Sequence, residues 1–231
     1  LLSFFKSKLN KMSYKFIPYR QKELTNEEQI QKSELFYNFL DKRRSVREYS
    51  DKAIDFKVIE NIIKAAGTAP SGGHKQPWTF CVVSSPELKS KIRAAAEEEE
   101  KKSYGGRMSD RWKEDLAPLG TTWEKPFIEI APYIIVVFKR VHETLEGEKR
   151  NNYYVNESIG IACGMLIAAI HNAGLVTLTH TPSPMGFLAK ILGRPDNERA
   201  YLLLPIGHPQ NDAEVPDIAR KELNKLLVVY K

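Results

Sequence analysis

The amino-acid sequence predicts an α+β fold. Helix-periodic stretches and short apolar runs of strand character occur in comparable number and show no internal repeat. The 231 residues are 42% apolar and include 10 Tyr, 10 Phe and 3 Trp, enough for one domain with a sizeable core.

The elements follow in chain order. Thr25 and Glu28 have capping-box spacing and open a helix through Ser33–Leu40. Asp55 caps a second helix with Val58, Ile59, Ile62, Ile63 and Ala66 on its apolar face and Gly67 as its stop. Trp78–Val83 reads as a strand. Ser85-Pro86-Glu87 starts a helix that can run to about Tyr104: a hydroxyl caps, Pro takes the first helical position and an acid sits in the first turn. Residues 105–126 read as irregular. Tyr133–Phe138 is a buried strand, and Leu175–Thr179 and Tyr201–Pro205 are further strands. Ser158–Asn172 is apolar on nearly every side and rich in Gly and Ala, so it is expected to be buried, against a second copy if not within the chain.

Composition excludes some classes. The net charge is +6, but the charges are interspersed and the densest run, Glu97–Glu100, is acidic, so a nucleic-acid surface is not expected. The five His residues lack metal-ligand spacing, so no metal is expected. Cys81 and Cys163 lie in apolar runs and read as core thiols of a reducing compartment. No apolar stretch reaches the ~20 residues of a membrane-spanning helix. A soluble cytoplasmic protein is expected, with residues 1–24 as an N-terminal extension. Met12 opens the natural reading frame, and residues 1–11 read as upstream sequence or the remnant of an anchor.

Three clusters can carry chemistry. Arg43-Arg44-Ser45-Val46-Arg47 gathers guanidiniums and a hydroxyl able to grip a phosphate, although such a cluster is more often a solvated basic surface. Gly67–Trp78 contains Pro70-Ser71-Gly72-Gly73, whose small residues let backbone approach a flat ligand; it reads equally as a helix-to-strand loop. Thr177–Pro182 leaves a buried strand with Thr179, His180 and Thr181, which fits a ligand wall or simple turn chemistry.

Together these clusters, with Gly207-His208-Pro209 and Arg220 near the C-terminus, resemble the nitroreductase family. Ala66-Gly67-Thr68-Ala69-Pro70-Ser71-Gly72, Glu97–Glu100 followed by Tyr104, Arg107-Met108 then Arg111-Trp112, Ile161-Ala162-Cys163-Gly164 and Ala173–Thr177 resemble its halotyrosine-dehalogenating branch, over roughly residues 36–229. The resemblance implies a central mixed β-sheet flanked by helices, an intertwined homodimer, and residues 25–231 as an FMN domain with a lid at about 97–126.

The resemblance also implies roles. Arg43, Ser45 and Arg220 would hold the FMN phosphate with Arg44 and Val46 beside them, and Arg47 would sit at the pyrimidine edge. Ser71 and Gly72 would reach the ring system from the other subunit. Thr179 and His180 would line it, and Thr181 would offer its hydroxyl to the flavin N5, favouring stepwise one-electron transfer. Glu100, Tyr104 and Lys125 would bind an amino-acid zwitterion; the first two lie four residues apart, on one helical face. On residue type alone, though, this trio reads as ordinary solvated surface. The Gly73 N–H would face the phenolate. The implied activity is reductive dehalogenation of 3-iodotyrosine, 3,5-diiodotyrosine and the bromo and chloro analogues, with NADPH supplying electrons through a reductase partner. The alternative is a general nitroreductase or quinone reductase working by hydride transfer from NAD(P)H.

Overall fold

The computed structural model describes residues 14–231; the reading of residues 1–11 falls outside them. The chain divides between Asp41 and Lys42 into two units.

The first unit carries helix α1 (Asn26–Asp41). Its start is the expected capping box: the Glu28 backbone N–H donates to Thr25 Oγ1 (3.2 Å) and the Thr25 N–H donates to Glu28 Oε2 (2.8 Å). Ile30, Leu35, Phe36 and Tyr37 are exposed on it.

In the second unit, β1 (Trp78–Val83), β2 (Tyr133–Arg140), β5 (Val176–Thr177) and β6 (Glu198–Gly207) form one sheet in the order β1-β2-β6-β5. Its ladders run antiparallel. Its parallel component is a bridge between Ser45 and Thr177 at the β5 edge. Alternation along the strands sorts the core into two layers. Ile135, Val137, Leu202, Leu204 and Ile206 pack with Ile59 and Ile62 of α2 (Phe56–Gly67) and with Ile159, Leu166 and Ile170 of α6 (Val155–Asn172). Ile134, Val136, Phe138 and Leu203 face the other way. They meet Ile92 and Ala96 of α3 (Pro86–Lys102), Phe127 and Ile128 of α5 (Phe127–Ile130) and Leu188 of α7 (Gly186–Ile191). The sheet is therefore covered on both faces, which explains why β2 and β6 read as continuous apolar runs.

Several expectations need adjusting. Gly67 is the last residue of α2, not its stop; the following Thr68 closes the helix, its hydroxyl donating to the Ala65 carbonyl (2.8 Å). The third strand shrinks to Val176–Thr177, beyond which His180 alone bridges to Leu203. The stretch after α3 is more ordered than its Gly and Pro content suggests: a π-helical turn (Ser103–Arg107) leads to α4 (Asp110–Leu116), capped by Ser109. Sequence reading gave no sign of the hairpin β3 (His142–Leu145) and β4 (Glu148–Asn151), whose residues are mostly polar. Its turn places Glu146 and Gly147 at φ of 52° and 80°, as a tight two-residue hairpin loop requires. Ile161 stays 47% exposed on α6, so that helix is not enclosed within the chain.

Candidate functional site

The segment after Lys42 is pinned to the sheet edge. The Val46 N–H donates to the Thr177 carbonyl (3.2 Å), and Tyr49 is buried in the core. This fixes Arg43, Arg44, Ser45 and Arg47 along one wall of a cavity of about 520 Å³. Arg220 joins them from the C-terminal segment beyond β6, its guanidinium donating to the Arg43 carbonyl (2.8 Å). Arg44 donates to the Pro216 carbonyl. Burial, then the like charges of Arg220 and Arg44, lower the Arg43 pKa. Among the described residues neither Arg43 nor Arg47 has a carboxylate within ion-pair distance. Crowded cations of this kind are stabilised by a bound polyanion, so the donor set fits a phosphate group.

A second wall comes from the end of α3 and the segment before α5. Glu100, Tyr104 and Lys125 all reach the cavity. Lys125 is only 3% exposed. Its Nζ lies 3.6 Å from Glu100 Oε2, donates to Thr121 Oγ1 (3.3 Å) and donates to the Thr122 carbonyl. The Tyr104 hydroxyl donates to the Thr121 carbonyl (3.0 Å). Burial raises the Glu100 pKa against the pull of Lys125. Burial likewise lowers that of Lys125 against the pull of Glu100. Each group is thus pushed toward its neutral form, so desolvation outweighs their mutual attraction at this separation. A ligand carrying both charges would offset that cost.

Thr179, His180 and Thr181 form the third wall. Paired hydrogen bonds between His180 and Leu203 (2.9 and 3.0 Å) hold the backbone against β6. The His180 ring is 7% exposed and meets Phe127 edge-on at 5.6 Å. Its Nε2 has no hydrogen-bond partner among the described residues. Burial, then the nearby Lys125 and Arg47, push its pKa down to about 3, so the imidazole is neutral at physiological pH.

The predicted residues thus converge, with two exceptions. Val46 turns its side chain away, into a separate cavity of about 200 Å³. Ser71, Gly72 and Gly73 do not line the main cavity; they form a turn beside the start of α6, where the Gly72 N–H donates to Ser158 Oγ (3.2 Å). A Cβ on Gly72 would lie 2.8 Å from the Tyr154 ring, and Gly73 has a φ of 58°, so small residues are needed there for local reasons as well. Sequence reasoning missed Thr121, which touches both Tyr104 and Lys125, and the apolar lining of Met108, Trp112, Leu116 and Leu119. Met108 and Trp112 had entered only within motifs that carry the resemblance, with no role assigned, and nothing in the residue pattern marked Leu116, Leu119 or Thr121. Among the described residues no group of His, Cys, Asp and Glu is placed to hold a metal ion.

The sheet is covered by helices on both faces and carries at its edge an arginine cluster that fits a phosphate, and the profile described as "Nitroreductase family" matches residues 40–208; the chain belongs to that family. Within it, the chain is similar to the iodotyrosine deiodinases. It is 61% identical to the iodotyrosine deiodinase of Haliscomenobacter hydrossis over 93% of this chain and 97% of that protein. It is 47% identical to iodotyrosine deiodinase 1 of Homo sapiens over 92% of this chain and 74% of that protein. Among solved structures, an oxidized iodotyrosine deiodinase bound to FMN and 3-iodo-L-tyrosine superposes with a TM-score of 0.75 at 32% identity, covering 85% of this chain and 98% of that one.

Proposed function

We propose that this chain is an FMN-dependent oxidoreductase of the iodotyrosine deiodinase type. The observation that carries the reading is a single cavity with an arginine cluster on one wall and Glu100, Tyr104 and Lys125 on the other. The first wall suits a phosphate and the second an amino-acid zwitterion.

In this reading Arg43, Ser45 and Arg220 hold the FMN phosphate, with Arg44 and the Val46 backbone beside them. Arg47, Thr179, His180 and Thr181 border the ring system, Thr181 facing N5 with its hydroxyl. The chain works as a homodimer in which Ser71 and Gly72 reach the flavin bound by the partner subunit. The exposed Ile161 on α6 supports this, since an open apolar helix face invites a second copy.

Glu100 takes the substrate ammonium, while Tyr104 and Lys125 take its carboxylate. The Gly73 N–H faces the phenolate oxygen. Bound FMN supplies the two electrons of the reaction, one at a time. The ring carbon–halogen bond becomes a carbon–hydrogen bond, so one proton enters and halide leaves. The residues of the chain orient the ring and exclude water: the lid closes Met108, Trp112 and Leu116 over the cavity. Substrates are 3-iodotyrosine, 3,5-diiodotyrosine and their bromo and chloro analogues, and NADPH supplies electrons through a reductase partner. The reading includes a cytoplasmic location; among the described residues no helix is long and apolar enough to cross a membrane.

The test is fluorescence titration of the flavin-loaded protein with 3-iodotyrosine, with tyrosine and a nitroaromatic for comparison. Quenching of flavin emission by iodotyrosine alone is the expected result. Binding of the nitroaromatic with no response to iodotyrosine would overturn the reading in favour of a general nitroreductase.

A further inference from the structure

One face of α3 grips the segment that carries Lys125 at successive points. Lys89, Arg93, Glu97 and Glu100 follow one another at helical spacing, with Tyr104 a turn further on. Lys89 Nζ donates to the carbonyls of Glu129 (2.7 Å) and Ala131 (2.9 Å), closing the end of α5. Arg93 donates to Glu129 Oε2 (2.9 Å) and through Nε to Glu97 Oε1 (2.7 Å). The same Glu97 oxygen accepts the backbone N–H of Lys125 at 2.8 Å. One turn on, Glu100 faces the Lys125 ammonium at 3.6 Å. The Lys125 carbonyl accepts from the Ile128 N–H (3.1 Å), so the residue is held at its main chain on both sides and at its tip.

Glu97 is well placed for this. Its side chain is 15% exposed, and it is oriented by a guanidinium that is itself tied to Glu129. A carboxylate accepting from both a guanidinium and a backbone N–H makes charge-assisted bonds, which tolerate little displacement. The four-carbon stem of Lys125 has many rotamers, and its reach into the cavity is defined only if its Cα is fixed.

We infer that Glu97, oriented by Arg93, is a positioning residue: it sets the main chain of Lys125 and thereby the affinity for the charged end of an amino-acid substrate. This rests on the proposed role of Lys125 in zwitterion binding. Glu97 itself does not line the cavity. It acts on the amino-acid end of a ligand and leaves the ring end and the flavin untouched.

The experiment compares Glu97→Ala, which removes the acceptor, with Glu97→Gln, which keeps an oxygen for the Lys125 N–H. In flavin-loaded protein without substrate, Glu97→Ala speeds amide hydrogen exchange at Lys125 by tenfold or more, on the order expected for losing a charge-assisted bond, and Glu97→Gln restores most of the protection. With 3-iodotyrosine, Glu97→Ala raises the dissociation constant about tenfold to a hundredfold. Binding of 2-iodophenol, which has no ammonium or carboxylate, stays within about twofold. Unchanged exchange at Lys125 in Glu97→Ala overturns the inference whatever the substrate is. Equal weakening of iodotyrosine and iodophenol also overturns it, since the effect would then be general lid damage. If wild-type protein fails to bind iodotyrosine while the exchange result holds, the positioning of Lys125 stands and the substrate assignment falls.

Discussion

His180 makes acid stability a quantitative test of the site. In an unfolded chain its imidazole titrates near 6.5, whereas in the fold burial and the cations Lys125 and Arg47 hold it down to about 3. Between those values the unfolded chain binds a proton that the folded chain refuses. The stabilisation is therefore fully present above about 6.5 and is lost progressively as pH falls toward 3. Each pH step in that window is worth ~1.4 kcal/mol, so moving from pH 7.5 to pH 4.5 removes about 2.5 kcal/mol through this residue. The perturbation is His180→Gln, which cannot titrate. The assay is urea unfolding at the two pH values, with protein and flavin concentrations held fixed. Wild type is expected to lose about 2.5 kcal/mol more than the variant between them. Carboxylates whose pKa the fold shifts, Glu100 among them, are common to both proteins and cancel in the difference. Equal losses in the two proteins would refute the reasoning, because His180 would then protonate as easily in the fold as outside it.

Two further outcomes are expected. Gly207→Ala places a Cβ 2.9 Å from the ring of Tyr49, which is buried in the core, and 3.1 Å from Pro132, so it lowers stability by about 1–3 kcal/mol in thermal unfolding. Arg43→Met weakens FMN retention about tenfold to a hundredfold in a fluorescence titration. It leaves the melting temperature of flavin-free protein unchanged or slightly raised, since Arg43 is crowded by Arg44 and Arg220 there.

Much of the sheet was legible because its strands are covered on both faces: Trp78–Val83 and Tyr133–Phe138 announce themselves as apolar runs, although the second strand continues through the charged Lys139 and Arg140. Helix starts were legible where a cap could be named, as at Thr25, Asp55 and Ser85. The β3–β4 hairpin was not, since most of its side chains face water and its turn uses Glu146-Gly147 rather than an Asn-Gly pair. At the site, residue types alone favoured a solvated basic surface for the arginine cluster, and a phosphate grip was read from it only beside the other clusters and the resemblance they carry. Glu100 and Tyr104 shared a face by spacing, but their partner Lys125 came only from resemblance, because no local pattern links residues so far apart on irregular chain. Thr121 and Glu97 were invisible for a related reason: Thr121 meets Tyr104 through its carbonyl as well as Lys125 through its hydroxyl, Glu97 acts on an amide, and sequence does not show which main-chain groups need a partner.

The arrangement of the two walls along the chain has an evolutionary consequence. The cationic wall is assembled from residues 43–47 and Arg220, close to the two ends of the second unit, and is locked to the sheet through Val46 and Thr177. The groups that meet the Lys125 ammonium and its backbone N–H, namely Glu97, Glu100, Thr121 and Thr122, lie within residues 97–122, one uninterrupted stretch running from the end of α3 toward α5. Exchange of that single stretch between relatives would deliver a new set of ligand contacts, while Arg93 and Glu129, which brace Glu97 from outside it, and the arginine cluster stay in place. A lineage built this way can vary the ligand contacts of its site by recombination at one locus, without passing through forms that have lost the cationic wall.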